Sequence, residues 1–169
     1  VCLWFENDLF CQINMWFVIS MLANHSTLKI FRIFPIIENN ADTWRGFAIA
    51  NAEKLEQAYH SKIQLTLRDI ELGKILWESY QNGDLNKLKE LSKKQSDCFE
   101  YLEEVCQAHI ERFPSDKTLG RPDKVVKEII DTYSTEFQVV FSEFSDREGI
   151  YGFGDLQIKN IYDRQMLSH

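Results

Sequence analysis

Several things are missing from this sequence, and each absence removes a class of function. None of the four cysteines, Cys2, Cys11, Cys98 and Cys106, forms a CxxC pair. Zinc ribbons and dithiol redox motifs are built on that spacing, so neither is expected. On one helix Cys98 and Cys106 would stand about 12 Å apart along the axis, too far for a disulfide. The cysteines read as small buried hydrophobes in a reducing, cytoplasmic compartment. A basic surplus is also missing: 19 Lys and Arg face 26 Asp and Glu, for a net charge of −7. Nucleic-acid binding proteins displace counterions with a basic face, so that role ranks last.

No apolar run reaches the roughly 20 residues that a spanning helix needs. The nearest, residues 9–22, contains Gln12, Asn14 and Ser20. Acids precede it where a signal peptide would be positive, so neither a membrane partner nor a signal segment is expected. Neither GxGxxG nor the Walker pattern occurs, and there are no internal repeats or low-complexity tracts.

What is present suffices for a packed domain. Hydrophobic residues make up 44% of the 169 positions and aromatics 13%, which argues against disorder. Residues 1–5, VCLWF, read as a fully buried strand. Asp8 can cap a helix over 9–23 that is apolar on nearly every side, and so packs on more than one neighbour. A turn at 24–26 leads to a second strand over 28–34, which Pro35 ends. Strand, helix and strand in this span make a parallel βαβ unit with a right-handed crossover. Two parallel strands do not stand alone, and the chain starts without Met on a buried strand. The expectation is that further strands precede Val1, or that a partner chain supplies them.

Beyond the 41–50 connector the pattern turns helical. Helices are expected over 51–60, 67–80, a short stretch after Asp84, 98–113, 122–133, 137–144 and 156–166. The expected architecture is α/β and helix-rich: a partial Rossmann-like βαβ unit over 1–50, then a mainly α-helical, winged-helix-like back half over 51–169.

Two constellations carry candidate chemistry. Ligands of open α/β sheets bind beyond the carboxyl ends of the strands, where Glu6 and Asp8 fall. Paired acids there can hold Mg²⁺, with Glu6 as ligand or general base and Asp8 as ligand, and Asn7 lies between them. The plainer alternative makes Asp8 a helix cap and Glu6 a solvated loop residue. The second constellation is GIYGFGDLQ, with three of the seven glycines in six residues. Gly152, Gly154 and Asp155 could cradle a ligand, but the spacing fits no phosphate motif. Asp155 reads instead as the N-cap of the last helix, with Tyr151 and Phe153 anchoring the loop. His109 is a lone histidine on an apolar helix face and reads as a hydrogen-bonded core residue.

Three blocks, LWFENDLFCQINMWF, HIERFPSDKTLGRPDKVVKEII and GIYGFGDLQ, occur in an order that resembles a bacterial family catalogued as domain of unknown function eighteen thirty-five. The resemblance covers most of the chain. It implies a Rossmann-like front half carrying a glycine-aspartate turn, followed by a helical back half. That turn is absent here. The segment LGRPDKVV also departs from the commoner form, because Pro122 and Asp123 stand where a Ser or Thr cap and a Glu are usual. The family implies no known activity, so no catalytic residue carries over.

Two functions are therefore expected. The first is a composite crevice with metal-assisted chemistry on a phosphate-containing small molecule. The second is a non-catalytic regulatory or protein-interaction module, or a homo-oligomer, using the helical back half.

Overall fold

A computed structural model describes residues 1–25, 27–114, 116 and 118–167. Ser26, in the turn expected at 24–26, lies outside them, as do Ser168 and His169 at the end of the expected helical part. Three short strands and eight α-helices are present among the described residues. Strand β1 (Cys2–Trp4) pairs in parallel with β2 (Phe31–Ile33), Leu3 opposite Arg32. Helix α1 (Leu9–Leu22) is the connection between them. The expected βαβ unit is therefore formed.

The sheet has a third strand that periodicity does not reveal. After α2 (Ala52–His60), β3 (Ile63–Gln64) runs antiparallel to β2 and leaves β1 at the edge. A two-residue strand is too short to show alternation. Its ladder is extended by the Leu65 N–H donating to the Ile30 carbonyl at 2.9 Å.

The helices follow as α3 (Leu67–Gln81), α4 (Leu85–Leu91), α5 (Leu102–Ile110), α6 (Arg121–Thr132), α7 (Phe137–Arg147) and α8 (Asp155–Met166). No strand occurs after Gln64 among the described residues. Helix α3 opens with a full capping box, in which the Thr66 hydroxyl and the Asp69 carboxylate satisfy each other's backbone N–H. Asp69 also accepts from the Ser96 hydroxyl at 2.6 Å, which ties the segment between α4 and α5 to the start of α3.

The expected helix over 98–113 is shorter than its apolar stripe. Ser96 accepts the Cys98 N–H through its hydroxyl oxygen, at 3.0 Å, and the Phe99 N–H through its carbonyl, at 3.1 Å. These turn bonds compete with helix, so α5 begins at Leu102. Phe99 is still buried, but Phe113, at the end of the expected helix, is 52% exposed.

One continuous core joins the front and the back of the chain. It runs from Leu3, Trp16 and Ile19 through Leu76 and Val105 to Ile129, Phe144 and Ile158. Helix α1 packs on α3, on α5 and on the short 3-10 turn Gly149–Tyr151. Its tightest approach is to α3, where a Cβ on Gly73 would lie 2.7 Å from Ile19 Cγ2. The opposite stripe of α1 is uncovered, with Phe10 and Met21 each 52% exposed. Cys2, expected inside, is exposed on the edge strand, and all four thiols are free.

An ion-pair junction fixes the back half. Arg121 binds Glu111 and Glu148, each at 2.8 Å, so the end of α5, the start of α6 and the 148–151 turn are held together. Gly120, rather than a Ser or Thr, caps α6, and a Cβ there would meet the Arg112 carbonyl at 2.5 Å. Pro122 sits in the first turn, where its missing N–H costs no hydrogen bond.

His109 is buried as expected, but its Nδ1 has no hydrogen-bond partner; the ring lies instead against Tyr80 at 4.9 Å and Phe113 at 5.3 Å. Burial, aided by nearby Arg112, pushes its pKa down to about 4 from an ordinary 6.5. The folded protein therefore keeps His109 neutral while the unfolded chain begins to bind a proton below pH 6.5. That contribution to stability is complete above pH 6.5, declines as the pH falls to about 4, and levels off below. His109→Phe is expected to flatten this part of the stability–pH curve, measured as the urea midpoint between pH 7 and 4. An unchanged slope would mean that the ring is solvated.

Candidate metal-binding site at the strand ends

The candidate site is the loop that leaves β1. Its backbone is held from below by a residue that the sequence reading did not single out. Arg32 on β2 is completely buried. Its guanidinium donates to the carbonyls of Phe5 (2.5 Å), Ile33 (2.8 Å) and Glu6 (3.4 Å) and lies 4.4 Å from the Phe34 ring centroid. Burial pushes its pKa down to about 10, so it stays charged at neutral pH. No carboxylate binds it among the described residues, so its charge is balanced by carbonyl dipoles at the carboxyl ends of β1 and β2. The signal was a lone charge in the apolar run IFRIF.

Each side chain of the loop is then placed by a different element. The Glu6 carbonyl also accepts from Gln12 Nε2 at 2.7 Å. The Glu6 carboxylate reaches toward the 3-10 turn Gly46–Ile49, where Oε1 accepts from the Phe47 N–H at 2.8 Å. Asn7 is buried; its Nδ2 reaches the Thr43 carbonyl at 3.5 Å and its Oδ1 has no partner. Asp8 caps α1 as the sequence indicates, its Oδ1 accepting from the Cys11 N–H at 3.0 Å.

Two left-handed glycines close over the two acids. A Cβ on Gly46 (φ 57°) would lie 2.4 Å from Glu6 Cδ, and one on Gly152 (φ 61°) would lie 2.0 Å from Asp8 Oδ1. Only a hydrogen fits at either place. The GIYGFGDLQ motif is thus brought to the opening motif, through Gly152. Gly154 and Asp155 serve the start of α8 instead. Gly154 is its N-cap, and the Gly154 N–H is taken by Gln157 Oε1 at 2.7 Å. Asp155, expected as the cap, is the first helical residue, and its Oδ1 accepts from the Leu156 N–H at 2.8 Å.

The structure adds Cys11 to the acid pair. One ligand atom each from Glu6, Asp8 and Cys11 lie within 4.8 Å of one another, and Cys11 Sγ is 4.0 Å from Glu6 Oε2. Burial raises the pKa of Asp8 against the pull of its backbone hydrogen bonds. The Cys11 thiol is pushed up to about 12, first by burial and then by the Asp8 charge. These shifts mark a spot where burial disfavours the charged forms of Asp8 and Cys11. Two carboxylates and a thiol are a mixed hard and soft donor set. It fits Zn²⁺ better than Mg²⁺, which takes oxygen alone.

Comparison of the chain with protein-family models, with curated proteins and with solved structures gives no match.

Gly152→Ala is expected to cost about 1–2 kcal/mol for the left-handed backbone and about 1 kcal/mol more for the displaced Asp8 cap. Gly83 (φ 66°), with nothing within 4 Å of its would-be Cβ, supplies the control. Gly83→Ala should carry the backbone cost alone, and equal losses in the two variants would show that the Asp8 contact contributes nothing. Arg32→Met, which strands two buried carbonyls, is expected to lose about 2–4 kcal/mol in a denaturant titration.

Proposed function

We propose that this protein binds a divalent cation of the zinc type at the carboxyl ends of its parallel strands, through Glu6, Asp8 and Cys11, and uses it on a phosphate-containing small molecule. The observation that carries the reading is the approach of three ligand atoms to within 4.8 Å at the strand ends. In this reading Glu6 is a ligand through Oε2, because Oε1 is occupied by the Phe47 N–H. Asp8 supplies Oδ2, because Oδ1 caps α1. Cys11 binds as the thiolate, which a cation favours over the thiol. The ion would polarise the phosphate oxygens. A Rossmann-like parentage for the βαβ unit, membership of the family named above, and a bacterial cytoplasmic setting belong to the same proposal. The test is the melting temperature with Zn²⁺, Mn²⁺ or Mg²⁺. Zn²⁺ is expected to raise it, by an amount that vanishes in Cys11→Ser and Glu6→Gln. No response to any of the three ions, or an undiminished response in both variants, would overturn the proposal.

A specific observation favours a second reading, contact with another protein. Strand β1 is one edge of the sheet, and Phe10 and Met21 on α1 are each 52% exposed, with Trp4 and Phe17 partly exposed beside their ring partners. Exposed large apolar side chains beside an unpaired strand edge commonly mark an interface. The front of the molecule therefore supports this reading more strongly than the helical back half.

A further inference from the structure

A separate concavity of about 520 Å³ lies between α1, the end of α5 and α8. This volume suits a small organic ligand. It is shaped by the part of GIYGFGDLQ that the cation site leaves unused, since Tyr151 and Phe153 form one wall. One face of α8, the i, i+3, i+7 series Gln157, Asn160 and Arg164, forms the opposite one.

The charges and polar groups here are unevenly satisfied. The Arg112 guanidinium is half-buried and makes no ion pair among the described residues. It lies over the Phe153 ring at 5.3 Å and the Phe113 ring at 5.4 Å. The one acid of the groove, Asp123, is already paired with Arg164 at 2.8 Å. The groove therefore carries a net positive charge. Tyr151 is completely buried, yet its hydroxyl has no hydrogen-bond partner. Burial holds that hydroxyl protonated well above the ordinary range, so it remains a donor. The exposed Asn160 carboxamide has no hydrogen bond to any other described residue.

We propose that this groove is a binding site for a nucleoside monophosphate. Arg112 takes the phosphate, because a planar guanidinium matches an oxyanion. Phe10 and Phe113, half-exposed where they line the groove, take the base by stacking, which contributes for any base. Asn160 offers a donor and an acceptor to the edge of the base. Phosphate alone would leave most of the volume empty, and a nucleoside alone would leave Arg112 without an anion. The inference does not rest on the cation reading, since none of these residues belongs to the Glu6, Asp8 and Cys11 cluster.

The experiment is a calorimetric titration of the full chain at low salt with AMP, GMP, UMP, adenosine and inorganic phosphate. At least one monophosphate is expected to bind saturably, and at least tenfold more tightly than adenosine or phosphate. Arg112→Gln should weaken it tenfold or more. Asn160→Glu, at an exposed helix position that tolerates substitution, should abolish it while leaving the melting temperature unchanged. Binding should persist in Cys11→Ser and in chelator, which separates it from the cation site. No binding of any monophosphate, binding no tighter than that of phosphate alone, or unchanged affinity in Asn160→Glu would overturn the proposal.

Discussion

The front of this molecule depends on one buried cation. Arg32 enters a three-residue strand whose neighbours are apolar, and its charge is fully removed from water. Such burial is costly unless the donors are satisfied. Here the two terminal nitrogens bond to carbonyls at the ends of both parallel strands, Phe5 and Ile33, and reach on to Glu6, while Nε has no partner. One side chain therefore sets where β1 stops and the direction in which the loop leaves it. The positions of Glu6, Asn7 and Asp8, and hence of Cys11 one turn into α1, follow from that anchor.

The second constraint is a pair of close backbone approaches. Gly46, from the connector after β2, covers Glu6; Gly152, more than a hundred residues away, covers Asp8. Each approach also serves the acid it covers. The turn that brings Gly46 presents the Phe47 N–H to Glu6, and Gly152 packs on a carboxylate that caps α1. This explains why the front unit and the helical part share one core. The two carboxylates between the buried segments of β1 and α1 have a structural role. They fasten the loop to the turns above it, and the oxygens left over face Cys11.

The Gly149–Tyr151 turn links the two candidate sites. Arg121 holds it through Glu148, Gly152 leaves it toward Asp8, and Tyr151 and Phe153 extend from it into the wall of the groove. A shift in this turn would move both sites together. The glycine-rich motif is therefore a structural hinge point for the site residues, with its own backbone N–H groups already committed at Gly154.

The sequence by itself determined the local elements. Asp8 before an apolar run, Asp84 before a leucine stripe and Pro122 in a first turn are signals that short-range chemistry imposes. The helices they start lie close to where periodicity puts them. The boundaries that shifted did so where side-chain hydrogen bonds competed with helix, as at Ser96, or where a ladder was two residues long, as at β3. The acid pair was also legible, because it follows a strand in a βαβ unit. Only the tertiary structure decided the rest. That Arg32 would turn inward, that Cys11 would join Glu6 and Asp8, and that Arg112 would face α8 across a groove all depend on contacts between residues distant in sequence. Those contacts are set by which surfaces bury one another, and no local pattern carries that information.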